Sequence, residues 1–365
     1  MVRLLEPLYA KRPRVQRLLR QVDGAAALVN HTLVSRYPSL ARPNPQQVYV
    51  SLTALCNLRC KGCLYGTHEF MPGHELPWPL VRELLDDAKA LGIRDVRLYG
   101  GEPLLHKDLP AIVRYATDIG LRPWVTTNGL LLSEKFDALY DAGLRRFSFG
   151  LYGTGNEYDE YVRRPERFHR LCQGLSHVRH RYGDDVTIEM GWLLMRPTCS
   201  LDAVREVWAL ATRFETPIYV NLIHYSLPYF TEGEDRELQF RPDDLPAIEE
   251  TVAELLRLQK VDPRMFLNSR VGLKSIPDWL LRGPQMRVPC TENSLVWVGA
   301  DGTVQMCYVT FKLGNLHEKR LADLLFTPEH KQAARDCVAL NCPNCHCSYD
   351  RRTATHYPTR RRFSA

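Results

Sequence analysis

Short apolar runs with period-two alternation recur along the chain, and longer stretches with helical spacing separate them. The runs are Val48 to Leu52, Asp95 to Tyr99, Pro123 to Thr126, Arg146 to Gly150, Val186 to Leu194 and Ile218 to His224. Helical stretches lie near 79–91, 108–119, 132–142, 157–182 and 201–214. Strands alternating with helices predict parallel βα units, and right-handed crossovers curl such units into a partial (β/α)6 barrel, an α/β fold. Upstream, Val15, Leu18, Leu19 and Val22 fall at i, i+3, i+4 and i+7 with Arg14, Arg17 and Arg20 off the stripe, which predicts an amphipathic helix. It is read as packing on its own domain, with a surface-bound anchor as the alternative. Prolines between 38 and 45 mark a linker. Residues 226–289 are less regular, with a helix near 243–260, and Leu295 to Val298 and Thr303 to Met306 predict a hairpin turning at Ala300-Asp301-Gly302. A short helix, Arg320 to Phe326, comes next. The expected organisation is a basic helical extension (1–46), the barrel (47–225), a bridging segment (226–289), a small α+β extension (290–349) and a basic tail (350–365).

Composition narrows this further. A chain of 365 residues buries a substantial core. No run approaches the roughly 18 apolar residues of a membrane span, and no signal segment opens the chain, so a soluble cytoplasmic protein is expected, without a membrane partner. The formal charge of +6 is concentrated at the ends: residues 1–46 carry eight Lys or Arg against two acids, and residues 350–365 five Arg against one Asp. Basic ends without a basic stripe through the body argue for solvated tails and against nucleic acid, an acidic substrate or membrane surface being the minority reading. The 11 cysteines bunch at 56–63 and 290–347, which favours metal clusters in a reducing compartment over disulfide staples.

The first bunch, Cys56, Cys60 and Cys63, has the spacing C-x3-C-x2-C. Three thiolates from one loop leave one iron of a [4Fe-4S] cube open to an exogenous ligand. A structural zinc site, the alternative, wants four closed ligands in two pairs. The triplet resembles that of the radical S-adenosylmethionine (radical SAM) superfamily, and so does the order of the downstream motifs: Gly100-Gly101-Glu102-Pro103, Thr126-Thr127-Asn128-Gly129, Phe147-Ser148-Phe149-Gly150, and Tyr158-Asp159 leading to Arg163. The resemblance covers roughly residues 47–225. It implies that the open iron holds SAM, that the edge from Gly100 to Pro103 pairs with the methionine amino group, and that Ser148 and Arg163 are candidates for its carboxylate. Thr127 and Asn128 end the third strand on the same cofactor side. One departure is Gly62, where the family carries an aromatic residue; Tyr65 is the ring expected to stand in. The glycines at 100 and 101 are read as letting the backbone approach a ligand.

The second bunch fits C-x11-G-x4-C at Cys290, Gly302 and Cys307, with the C-x2-C pair Cys342 and Cys345 downstream. This resembles the twitch extension, a shortened SPASM domain, which implies one auxiliary [4Fe-4S] cluster on those four cysteines; Cys337 and Cys347 sit at spacings that do not match. Two cysteine pairs would also suit structural zinc. Polar residues on barrel strands bear on substrate, because alternation puts Thr187, Glu189 and Gly191 on one face of the fifth strand and Tyr219, Asn221 and Ile223 on one face of the sixth. Glu189 and Asn221, with His224 and Tyr225 at the strand end, are candidates to grip a polar substrate, and Cys199 is the best-placed thiol to return a hydrogen atom. The resemblance implies reductive cleavage of SAM, an electron donor such as flavodoxin or ferredoxin, and oxidation or epimerisation of a small polar molecule such as a sugar or aminocyclitol. Modification of a peptide or protein, as in ribosomal peptide or sulfatase maturation, is the competing reading, and a zinc-stabilised binding scaffold a third. Anaerobically reconstituted protein is expected to hold close to two [4Fe-4S] clusters by iron and sulfide assay; one cluster in wild type contradicts the auxiliary site.

Overall fold

The computed structural model describes residues 28–63, 65, 74–224, 233–308 and 310–364. The helix expected over 15–22, and Tyr225, lie outside these residues. Six strands are parallel neighbours in chain order: β1 (Gln47–Thr53), β2 (Asp95–Gly100), β3 (Arg122–Thr127), β4 (Arg146–Leu151), β5 (Thr187–Leu194) and β6 (Ile218–Leu222). Between them run α1 (Trp78–Ala90), α2 (Leu109–Asp118), α3 (Leu132–Asp141), α4 (Gly155–Val162) and α5 (Arg167–Tyr182), and α6 (Leu201–Arg213) precedes β6. The single helix expected over 157–182 is in fact two. Pro165 lacks the N–H that a continuous helix needs, and Arg163 (φ 55°) and Glu166 (φ 61°) take left-handed conformations around it.

The burial alternation explains why one sheet face meets helices and the other does not. On the outer face Val48, Val50, Val96, Leu98, Phe147, Phe149, Ile188, Met190 and Trp192 join helix residues such as Leu84, Ile112, Phe136, Leu171 and Val204 in one apolar core. Burying each such side chain contributes about 1.5–3 kcal/mol. The intervening positions, among them Arg97, Arg146, Ser148, Glu189, Tyr219 and Asn221, turn to a cavity on the inner face. Phe136 against Phe147, with ring centroids 5.2 Å apart, shows how closely α3 seats on β4.

The expected carboxyl-terminal hairpin is present, but it does not stand apart from the barrel. Strand β7 (Leu295–Val298) pairs in parallel with β1, and β8 (Thr303–Gln305) and β9 (Lys312–Asn315) extend the sheet in antiparallel fashion, giving nine strands in the order β6-β5-β4-β3-β2-β1-β7-β8-β9. Gly302, at φ 81°, makes the turn. An open β1 edge would expose unpaired backbone groups, and the hairpin covers it. At the opposite edge Phe266 bridges Ile218, Leu267 N–H donates to Ile218 O at 2.9 Å, and Asn268 Oδ1 accepts from Val220 N–H at 2.7 Å.

The basic tail forms the helices Tyr349–Thr355 and Tyr357–Ser364, with Arg351, Arg360, Arg361 and Arg362 exposed as a solvated end predicts and Arg352 the exception. Arg352 is buried, with its guanidinium over the Trp279 ring and donating to Val288 O, Cys345 O and Asn344 Oδ1. It ties the cysteine-bearing loop to the segment before β7, so its charge serves carbonyl groups that would otherwise be unpaired. Among the described residues no helix is long and apolar enough to cross a membrane. Arg352→Met, which leaves those acceptors buried and unpaired, is expected to cost about 3 kcal/mol by urea unfolding; an unchanged midpoint would show that the tail is dispensable to the fold.

Candidate active site and metal centres

The loop bearing Cys56, Cys60 and Cys63 leaves β1 where the register against β2 shifts, between Ser51 and Thr53. The end of β2 docks directly on it: Gly101 N–H donates to Thr53 O at 2.7 Å and Glu102 N–H to Leu55 O at 2.8 Å. A Cβ at Gly100 would collide with the Thr53 carbonyl, and one at Gly101 with the Leu55 carbonyl. Glycine is therefore demanded by the approach of two chain segments. What comes this close to the pair is the cysteine loop itself. From the other side Lys61 N–H donates to Tyr161 O at 2.8 Å and Arg59 N–H to Val162 O at 3.4 Å, which seats the loop on the end of α4.

Glu102 is fully buried, and its carboxylate accepts from Leu104 N–H (3.0 Å), Thr127 Oγ1 (2.7 Å) and Asn128 N–H (2.7 Å). Burial pushes this carboxyl up to about 6, while the three donors hold it down. Asn128 Nδ2 in turn donates to Asn57 Oδ1 at 2.7 Å and lies 4.0 Å from Cys56 Sγ. The sequence reading set Glu102, Pro103 and Thr127 against the cofactor. In the structure the polar atoms of Glu102 and Thr127 face one another, because a carboxylate with no exposure must find its donors within the protein, and Pro103 is buried at the start of the turn Pro103–Leu105. Asn128 is the member of this group that reaches the thiol loop.

Arg163, the candidate for the SAM carboxylate, is exposed at the end of α4. Gly62 holds φ at 59°, a conformation costly to an aromatic residue, which accounts for the departure noted at that position. Tyr65, the ring expected to stand in, is buried beside Ala54, Ala300 and Cys63, with Oη donating to Ser51 Oγ at 3.0 Å.

The thiols of the loop have the chemistry of a cluster site. Burial raises Cys56 to about 12 and Cys60 well above the usual thiol value, and neighbouring thiolates add to both shifts. Sulfurs that disfavour one another's anions are what a cationic metal core stabilises as thiolates.

On the inner face of the sheet lies a cavity of about 640 Å³. Arg146 makes two hydrogen bonds to the Glu189 carboxylate, at 2.9 and 3.0 Å, and stacks 4.5 Å above the Trp124 ring. Ser148 Oγ lies 2.7 Å from Thr126 Oγ1, to which Arg97 Nε donates at 2.8 Å. A Cβ at Gly191 would lie 2.9 Å from Asn221 Nδ2, so the glycine leaves Asn221 its place in the wall. Glu189 and Asn221 thus share this cavity, as the strand alternation predicts, and Ser148 and His224 line it with them, while Ile223, expected on the same face as Asn221, is buried in the core. Arg97, Arg146 and Trp124 were missed, although the same period-two reading applied to β2, β3 and β4 points them inward. Cys199 is corrected: its Sγ donates to Thr251 Oγ1 at 3.4 Å and to Ala247 O at 3.7 Å, so it faces the helix Leu245–Val261 and not the cavity, because the turn after β5 carries it outward.

The opposite wall is made of thiols. Cys290, Cys307, Cys342 and Cys345 line it, together with Cys337 and Cys347, which the spacing argument set aside. The Cys337 thiol donates to Cys290 and the Cys347 thiol to Cys345, and the latter contact lowers Cys345 to about 7. The wall offers the four cysteine ligands that an iron-sulfur cube takes.

Residues 50–195 match the family model described as the radical SAM superfamily, and residues 290–348 the SPASM model, an iron-sulfur cluster-binding domain. The chain belongs to the radical SAM superfamily. Its cofactors are S-adenosylmethionine and [4Fe-4S] clusters. An AdoMet-dependent heme synthase of Methanosarcina barkeri is 35% identical over 137 residues, 37% of this chain and 39% of that protein. A GTP 3',8-cyclase of Chlorobaculum tepidum is 32% identical over 153 residues, 41% and 45% of the respective chains. The radical SAM chain thus spans about two fifths of the length of the curated relatives it matches. SuiB of Streptococcus suis, solved bound to precursor peptide SuiA, shares the fold at a TM-score of 0.59 and 14% identity, over 88% of this chain and 72% of its own.

Gly101→Ala is expected to destabilise this radical SAM protein by about 1–3 kcal/mol through overpacking and to reduce the iron held at Cys56, Cys60 and Cys63. Wild-type iron and an unchanged thermal midpoint would show that the docking contact does not hold the loop.

Proposed function

We propose that this radical SAM enzyme dehydrogenates a small polar metabolite, such as a sugar or aminocyclitol, bound in the cavity between the inner face of the sheet and the thiol wall. The observation that carries the reading is the pairing of those two walls: charged and hydroxyl side chains on one, six cysteines on the other. Held by Cys56, Cys60, Cys63 and the carboxyl-terminal thiols respectively, the two clusters with SAM would supply a 5'-deoxyadenosyl radical that takes hydrogen from carbon and an acceptor for the electron left behind.

The protein's own residues then account for binding and for the proton. Asn221 and Ser148 offer hydrogen bonds to substrate hydroxyl or amino groups. Glu189, oriented by two hydrogen bonds from Arg146, accepts the hydroxyl proton as the carbon it belongs to is oxidised to a carbonyl. Arg163 and the docked loop hold the SAM carboxylate, a planar fork suiting two oxygens. Epimerisation through Cys199, the donor the sequence offers for it, loses its support because that thiol turns away from the cavity.

The test is incubation with deuterated sugars and aminocyclitols under reducing, anaerobic conditions, scoring label in 5'-deoxyadenosine and a product lighter by two hydrogens. Glu189→Gln is expected to lower product formation about 100-fold or more with iron content unchanged, and Cys199→Ala to leave product yield unaltered. Product with an inverted centre and solvent deuterium would overturn dehydrogenation, and label transfer from a peptide alone would overturn the metabolite class.

A further inference from the structure

The charges that line the cavity do not all pair within it. Arg97, Arg146 and Glu189 reach it from the sheet, and Glu292 from the segment before β7. Arg146 is bound to Glu189 by two hydrogen bonds, and the Glu292 carboxylate accepts from the hydroxyl of Ser348, the neighbour of Cys347. Arg97 meets neutral groups instead. Its Nε donates to Thr126 Oγ1 at 2.8 Å and its side chain approaches the Tyr49 hydroxyl, while among the described residues no carboxylate forms an ion pair with it. We propose that Arg97 binds an anionic group of the substrate, which makes that substrate a sugar acid or a sugar phosphate and not a neutral or cationic metabolite. The inference deepens the proposed function and rests on its reading that a small polar metabolite occupies this cavity.

Two further features of Arg97 support it. The first is that the side chain is held in place before any ligand arrives. Its guanidinium carbon lies over the rings of Tyr49 and Tyr99, 4.9 and 5.4 Å from their centroids. The rings are fixed in turn: Tyr49 meets Trp124 edge-on at 5.9 Å, and the Tyr99 hydroxyl accepts from Trp297 Nε1. A ring face attracts a cation without using the N–H donors in the guanidinium plane. With Nε turned to Thr126, the terminal nitrogens keep the planar fork that matches two oxygens of a carboxylate or phosphate. A side chain already ordered loses little freedom on binding, which strengthens such a contact.

The second is where Arg97 stands relative to the group that takes the proton. Thr126, Ser148 and Glu189 are register partners across β3, β4 and β5. The contact to Thr126 therefore puts the guanidinium two strand spacings, roughly 10 Å, from the strand that carries Glu189. That span suits a molecule whose anionic group lies several bonds from the carbon that is oxidised. Charge then sets which way round the molecule lies. Glu292 and its neighbouring thiols make the opposite wall unfavourable to an anion, and the cation of Arg97 draws it to the sheet.

The full-length protein, reconstituted with iron and sulfide and loaded with SAM, is titrated by calorimetry with inorganic phosphate and with acetate. Wild type is expected to bind the one that matches its substrate more tightly, which separates a phosphate from a carboxylate. Arg97→Gln is expected to weaken that binding about tenfold or more, with iron content and the KM for SAM unchanged. Arg97→Lys, which keeps the charge without the fork, is expected to fall between the two. In label transfer to 5'-deoxyadenosine, deuterated glucose 6-phosphate or glucuronate is expected to exceed deuterated glucose about tenfold, a preference that Arg97→Gln abolishes. Neither anion bound by wild type, equal binding in Arg97→Gln, or a raised KM for SAM in that variant overturns the assignment, as does glucose that labels as well as its charged forms. Arg97-dependent anion binding with label from a peptide and from no metabolite overturns instead the metabolite reading on which it rests.

Discussion

One contact orders the amino-terminal half of this site: the end of β2 lies so close to the cysteine loop that no side chain fits between them. Gly100 and Gly101 permit it, and the hydrogen bonds from Gly101 and Glu102 to the Thr53 and Leu55 carbonyls fix it. The next residue along exploits the same closeness. Glu102 is carried into the interior, where an isolated carboxylate would be costly, and gathers Leu104, Thr127 and Asn128 around itself. Asn128 then reaches back to Asn57 in the cysteine loop. Three successive loops at the carboxyl ends of parallel strands, the usual place for a barrel's chemistry, are thereby locked to one buried anion.

The second half of the site is set by how the sheet finishes. An open barrel has two edges, and the chain covers both with its carboxyl-terminal third: β7 pairs with β1, and residues 266–268 lie along β6. Covering the edges also brings the cysteine-bearing loop across the open side, where Arg352 satisfies its carbonyls and Tyr349 and His346 fasten it to β6. A barrel interior ordinarily filled with apolar side chains instead presents Arg97, Arg146, Ser148, Glu189 and Asn221 to a cavity closed by thiols. The stability of the fold is left to the outer, helix-covered face, which frees the inner one for recognition.

Much of this was legible in the sequence because the signals were local. Period-two runs located all six barrel strands, and the cysteine spacing with Gly100 to Pro103 located the metal loop. What escaped depended on contacts distant in sequence. Nothing at residues 100 and 101 says whether a glycine clears space for a ligand or for the backbone of residues 53–55, and nothing at Glu102 tells a cofactor contact from a buried carboxylate. Cys199 looked well placed because it comes just after a barrel strand, but the turn that carries it outward is set by packing against the helix Leu245–Val261. Cys337 and Cys347 were set aside for their spacing, yet folding brings them to the same wall as the matched four. Arg352 read as one more cation in a basic tail, and its burial depends on carbonyls some 60 residues away.

The central claim is that the docked loop holds three thiolates so that a reduced cluster there can open SAM. Its most direct measurement is the yield of 5'-deoxyadenosine from SAM with the anaerobically reconstituted, dithionite-reduced protein, set beside Cys60→Ala. Wild type is predicted to form it steadily, and the variant none above background. Equal yields from the two proteins, or no 5'-deoxyadenosine from wild type carrying its full iron, would contradict the claim.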